Sequence, residues 1–203
     1  GIADSIIWSN KNLSKRIRLK DIGVLKNGYA FKSSTYVSDG KFSIITISNV
    51  TGQRYIDTRQ CNLLMAIPED LQSHQILKTN DILISLTGNV GRVSLCKEDR
   101  KYLLNQRVGL FDINEPSLHE YIFQVLSCHR FVQSMESAAQ GAAQMNIGKN
   151  DVENFSLPFT TDKSILNNVS LCLRSYDIKI EQEKRVLQQY NLLKHIFLKN
   201  LFI

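Results

Sequence analysis

The residues in this chain that come closest to a catalytic set are Asp81 and the triplet Asp99-Arg100-Lys101, an aspartate followed downstream by D-x-K. In a metal-dependent nuclease two such carboxylates would hold Mg²⁺ while the lysine activates water. Three-residue matches are cheap, and Glu98 to Lys101 reads more simply as a charged turn between strands. His74, His119, His129 and His195 show no metal-ligand spacing, and His129 beside Cys128 fits an ordinary helix face better than a catalytic dyad. A DNA methyltransferase would need a glycine-rich cofactor loop after its first strand and an N/D-P-P-aromatic turn. Neither occurs, since Pro68, Pro116 and Pro158 are isolated, and no G-x-x-x-x-G-K-[ST] phosphate loop is present. Binding is therefore favoured over catalysis, with no metal and no cofactor expected for this chain.

Cys61, Cys96, Cys128 and Cys172 are widely spaced and form no C-x-x-C pair, which reads as reduced structural thiols. No run of eighteen apolar residues occurs and the start lacks the layout of a signal peptide, so a soluble, cytoplasmic protein is expected. The chain begins with Gly1 rather than Met, which suggests a scar or truncation point, with residues missing upstream.

Any binding residues must be positioned by the first 160 residues, which read as mostly sheet. Phe42 to Ile47, Asp81 to Leu86, Gly91 to Leu95 and Arg107 to Ile113 are strand-like runs rich in Ile, Val and Phe, separated by turn-forming stretches such as Thr87-Gly88-Asn89. A helix is predicted from Ser117, where Pro116 precedes a capping box to Glu120, fading at Ala138 to Gln144. Lys149 to Asn154 reads as a single helical turn and Phe155 to Pro158 as extended.

From Thr161 to the end no Pro or Gly interrupts an amphipathic pattern. Leu166, Val169, Leu173, Tyr176, Ile180, Leu187, Tyr190, Leu193, Phe197 and Leu201 recur at steps of three, four or seven, with Thr161 or Asp162 as N-cap. At ~1.5 Å per residue such a helix runs about 57 Å, longer than the domain it leaves is wide, so its apolar stripe needs a partner helix. The division expected is a domain at 1–160 and a helix at 161–203.

The formal charge of +6 is concentrated at the ends. Residues 1–40 carry seven Lys and Arg against three acids, 41–162 eleven against thirteen, and the remainder seven against three. A polyanion partner is allowed by this distribution but not required by it.

Taken in order, several segments resemble a known family. They are Leu19-Lys-Asp-Ile-Gly23 with Gly28-Tyr29-Ala-Phe31, Asp81-Ile-Leu-Ile-Ser-Leu-Thr-Gly-Asn-Val-Gly91, Asn105-Gln-Arg107, Gly141-Ala-Ala-Gln-Met-Asn-Ile147 and Lys199-Asn-Leu-Phe202. Their order and spacing resemble a target-recognition domain, with the spacer helix that follows it, of the specificity subunit of a Type I restriction-modification system. The resemblance runs from about Arg18 to the end. It implies an α/β (α+β) fold in which a mixed-sheet recognition domain is followed by a long helix that pairs antiparallel with a partner. A full-length subunit of this family has two recognition domains and two such helices. This chain has one of each, so it resembles a half-subunit that dimerises, or the distal half of a longer subunit.

The resemblance further implies a non-catalytic chain that binds double-stranded DNA, reads half of a bipartite target, and directs methylation (M) and restriction (R) subunits. S-adenosylmethionine, ATP and Mg²⁺ would be used by those partners. Asn and Gln amides can pair with adenine and Arg with guanine, so the candidates for base contact are polar and basic side chains on strand-connecting loops or beside Gly. These are Asn89, Arg92, Gln106 and Arg107, with Lys32, Asn49, Arg54 and Gln144 behind them. Lys11, Lys15, Arg16, Arg18, Lys20 and Lys26 are candidates for phosphate contact. The dimerisation candidates are Val169, Leu173, Tyr176, Ile180, Leu187, Tyr190, Leu193 and Phe197. The competing reading is a protein-interaction adaptor whose helix oligomerises without any DNA role.

Overall fold

The computed structural model describes residues 1–98, 102–140 and 145–201. The chain opens with a short helix α1 (Ile2–Trp8), then strands β1 (Lys15–Arg18) and β2 (Gly23–Asn27). Strands β3 (Phe42–Ile45), β4 (Asn62–Leu64), β5 (Ile82–Ser85), β6 (Val93–Leu95), β7 (Tyr102–Leu104) and β8 (Val108–Ile113) follow. Helices α2 (His119–Leu126), α3 (His129–Ala138) and α4 (Lys149–Glu153), strand β9 (Ser156–Phe159) and the long helix α5 (Lys163–Leu201) complete it.

The strands form three sheets, ordered β2-β8-β5-β6, β4-β3-β7 and β1-β9. The pairing is mixed, because β3 runs parallel to β7 while the other strand pairs are antiparallel. Strand β5 explains the layering. Its side chains alternate, with Ile82 and Ile84 packing toward the helices and Leu83 toward the β3–β7 side, and all are buried because both faces of the central sheet are covered. One core lies between that sheet and α1, α2, α3 and the first turns of α5; a second holds Leu83, Val108 and Leu110 against Ile45, Tyr102 and Leu104, and a third, smaller one joins Ile44, Leu64 and Leu103.

The helix predicted as one piece from Ser117 is two. A turn at Pro116–Leu118 leads into α2, and the chain breaks at Ser127-Cys128, where Cys128 is extended (ψ 150) before α3 begins. The break is held from elsewhere in the chain. Asp4 of α1 accepts the amides of His129 and Arg130 at 3.3 and 3.1 Å, so a carboxylate sits on the otherwise unsatisfied donors of the first turn of α3. The predicted capping box does not form, because Ser117 donates to Glu115 and Glu120 is turned toward Arg54.

The tail begins where its cap predicts. Asp162 accepts the backbone amide of Ser164 at 2.9 Å and its hydroxyl at 2.6 Å. Helix α5 has 39 residues, about 58 Å at ~1.5 Å each. It divides by what it touches. Leu166, Val169 (7% exposed) and Leu173 (2%) complete the core of their own domain, so Val169 and Leu173 do not belong to a partner seam. Spacing alone could not separate them from the rest of the stripe, because the same periodicity serves a home core and a foreign one. From Tyr176 onward the stripe is bare, with Ile180, Leu187 (60% exposed), Tyr190 (66%), Leu193 and Phe197 all exposed. No described helix is long and apolar enough to cross a membrane.

Candidate nucleic-acid interface

Strand registers bring the main loops of the domain to one end. Asn27, closing β2, lies opposite Gly109 near the start of β8, and Val108 lies opposite Ser85 at the close of β5. In the adjoining sheet Ile45 and Leu104 end side by side in parallel. The segments after β2, β3 and β5 and the turn between β7 and β8 therefore emerge together. Asn89 and Arg92 lie on the β5–β6 loop and Gln106 and Arg107 on the β7–β8 turn, and all four side chains are exposed.

Backbone bonds stitch these loops to one another. Leu86 donates to the carbonyl of Arg107 at 2.9 Å, Gln106 donates to Tyr29 at 2.9 Å, and Gly88 donates to Met145 at 2.9 Å. Within the β5–β6 loop the buried Ser85 hydroxyl donates to the carbonyl of Asn89 at 2.5 Å and accepts the amide of Arg92 at 3.0 Å. Two glycines allow this closeness. A Cβ at Gly28 would lie 2.2 Å from the carbonyl oxygen of Asn105, and one at Gly91, whose φ is +76, would lie 2.8 Å from the Cβ of Met135. The result is a braced platform from which amides and guanidinium groups project. Among the described residues neither Arg92 nor Arg107 has an ion-pair partner, so both charges remain available to a ligand.

Lys32 is exposed and adjoins this end, lining an open hollow of about 460 Å³ with Tyr29, Phe31 and Met65. Gln144 lies outside the described residues. Asn49 is corrected. It is 2% exposed, its side-chain carbonyl accepts the Thr46 amide at 2.8 Å, and its amide donates to the carbonyls of Asp57 and Gln60 at 2.8 and 2.9 Å. Those bonds fasten the loop after β3 and leave nothing for a base.

Arg54 is corrected as well. Its guanidinium grips Glu120 with two bonds of 2.9 and 2.6 Å, reaches Asp177 of α5 at 3.1 Å, and lies 4.9 Å over the Phe123 ring. Gln124 donates to both carboxylates, at 3.0 Å to Glu120 and 2.7 Å to Asp177. Burial alone would raise the Glu120 carboxyl, but the hydrogen bonds from Arg54 and Gln124 and the nearby positive charge hold it below the ordinary glutamate value. Arg54 in turn is held above the ordinary arginine value, its burial outweighed by Glu120. Nothing in the sequence signals this cluster, because its members lie far apart in the chain.

The basic start does not flank the loop end. Lys15, Arg16 and Arg18 are exposed on β1, paired to β9, and the turn carrying Lys20 enters β2 at Gly23, opposite Ile113 at the far end of the sheet. Lys26 is paired with Asp112 at 2.5 Å, and Lys11 is exposed after α1.

The Asp81 carboxylate accepts the Lys78 amide at 2.7 Å as a turn residue, and Asp99 and Lys101 lie outside the described residues. Cys128 is buried, donates to the Gln124 carbonyl, and has its thiol pushed up to about 12 by burial, which disfavours the nucleophilic thiolate. Among the described residues no group of His, Cys, Asp and Glu could hold a metal.

A platform of exposed amides and guanidinium groups at one sheet end, with a bare helix projecting from the same domain, coincides with a sequence match. The profile of the Type I restriction modification DNA specificity domain matches residues 12–191. The chain belongs to that family. No curated protein matches this specificity domain. Solved structures share its fold. A chain from the type I R-M system, solved for its complex assembly and conformational transition, is 17% identical with a TM-score of 0.59, covering 92% of this chain and 43% of its own. The Type I restriction-modification S subunit from M. genitalium is 16% identical with a TM-score of 0.57, covering 86% and 41%. The HsdS subunit from Thermoanaerobacter tengcongensis is 16% identical with a TM-score of 0.58, covering 87% and 39%. The chain thus spans about two fifths of the length of these structures.

Proposed function

We propose that this chain is a DNA sequence-recognition component of a Type I restriction-modification system, reading one half of a bipartite double-stranded target. The observation that carries this reading is the gathering of Asn89, Arg92, Gln106 and Arg107 on one braced platform. These are the side-chain types that discriminate adenine and guanine in the major groove. In the cytoplasm it directs adenine methylation by M subunits and cleavage by an R subunit. It performs no chemistry itself; S-adenosylmethionine, ATP and Mg²⁺ serve the partners.

The bare stripe from Tyr176 to Phe197 supplies the second half-site by packing antiparallel against another copy, or against its counterpart in a longer chain. Beyond Asp177, where Arg54 and Gln124 hold α5 to the domain, about 24 residues or roughly 36 Å of helix remain. Complete overlap of two such segments would set the two domains about one turn of B-form DNA apart. This is shorter than the 57 Å bound taken from the whole tail. Selecting random duplexes with the assembled complex in elevated salt tests the proposal. Enrichment of a two-part motif is the expected result; retention of DNA without any motif, or of none, favours an adaptor.

A further inference from the structure

Arg54 is built into the sheet by its backbone and into the spacer helix by its side chain. Its carbonyl accepts the Leu95 amide at 2.7 Å, and Ile56 donates back to Leu95 at 3.1 Å, so residues 54–56 ride on the edge of β6. Two residues earlier Gly52 lies against the Arg92 side chain, 4.0 Å from a Cβ built there. The guanidinium, with only 9% of the side chain exposed, meets Glu120 of α2 and Asp177 of α5. Among the described residues, Asp177 takes hydrogen bonds from the domain one turn past Leu173, where the shared core ends.

We infer that Arg54, with Glu120 and Asp177, fixes the angle at which the spacer helix leaves the recognition platform, and so sets the gap length tolerated between two DNA half-sites. Arg54 is a positioning residue that touches no base. The inference rests on the DNA-reading function proposed above. Leverage makes it quantitative: about 36 Å of helix lies beyond the clamp, separated from residues 53–59 by open hollows as far as Gln188, so a tilt of about 10° displaces its end by roughly 6 Å, close to two base pairs at ~3.4 Å each. The hydrophobic contacts at Leu166, Val169 and Leu173 hold the helix down but are non-directional, whereas a two-pronged guanidinium–carboxylate pair has a defined geometry.

The test uses Arg54→Lys, which keeps the charge and loses the fork, and Asp177→Asn, which leaves the Arg54–Glu120 pair intact. Each is assembled with matching methylation subunits and offered plasmids in which the two half-sites are separated by gaps from three base pairs below to three above the native length. The expected result is unchanged half-site letters with at least a tenfold rise in methylation at neighbouring gaps relative to the native gap. Unchanged gap selectivity in both variants overturns the inference. Spin labels at Ser34 and Gln189, in a Cys61→Ser, Cys172→Ser background diluted with unlabelled protein, give a readout independent of DNA. The distance distribution should broaden in both variants, and an unaltered one also overturns the inference. A native complex that methylates no defined motif defeats the underlying function, whatever the labels report.

Discussion

The backbone amide of Leu86 donates to the carbonyl of Arg107 at 2.9 Å, tying the loop that carries Asn89 and Arg92 to the turn that carries Gln106 and Arg107. Two segments separated in sequence thus present their polar side chains from one braced edge. Replacing Arg92 or Arg107 with Ala should weaken specific binding by roughly 5- to 150-fold, the range of about 1–3 kcal/mol for one two-pronged base contact. Both side chains are exposed, so thermal unfolding should stay within about 0.5 kcal/mol of native. Competition binding against duplexes with single base changes checks this, since a base contact relaxes preference at one position while a phosphate contact weakens all sequences alike.

Asn49 predicts the reverse pattern. Asn49→Ala leaves the Thr46 amide and the Asp57 and Gln60 carbonyls without a buried partner, so stability should fall by roughly 2–3 kcal/mol. Denaturant unfolding measures the loss. An Asn49→Ala chain as stable as native, with DNA specificity altered, would reinstate Asn49 as a reading residue.

The contrast between these residues shows what the sequence could reveal. Strands β3, β5, β6 and β8 were legible because Ile, Val and Phe concentrate in short runs. Strands β1, β2, β4 and β7 carry no such run; β1 reads Lys-Arg-Ile-Arg, with its donors satisfied by β9 far away in the chain. Helix α1 is not legible in the sequence because seven residues give too few turns to establish a period. Exposed Arg92 and buried Arg54 have the same chemistry on paper. Their difference lies in Glu120 and Asp177, which only the fold brings to Arg54.

Acid should loosen the Arg54 cluster. The Glu120 carboxyl is lowered in the folded chain, so its contribution is complete above its unfolded value and is lost as pH falls through the folded value, below the ordinary 4.5. The melting temperature of Glu120→Gln should therefore lie below native at neutral pH, with the gap narrowing as pH drops below 4.5. A gap that stays constant across that range would show that Glu120 is not stabilised as a carboxylate.

The distal stripe makes a prediction about assembly. A charge placed among exposed apolar side chains costs the domain little but disrupts a seam, so Leu187→Asp with Tyr190→Asp should halve the solution mass of a paired native chain while leaving its melting temperature within a few degrees. Light scattering reads the mass. Val169→Asp should instead unfold the domain, because Val169 lies in its core.

If this chain reads DNA as proposed, it selects the sequence on which partner subunits act. Mapping methylated adenines after reconstitution with matching methylation subunits, with and without this chain, measures that selection directly. Modification at a single two-part motif that disappears when the chain is withheld is the expected result; methylation without a defined motif, or a motif that persists in its absence, would show that the chain does not select the sequence.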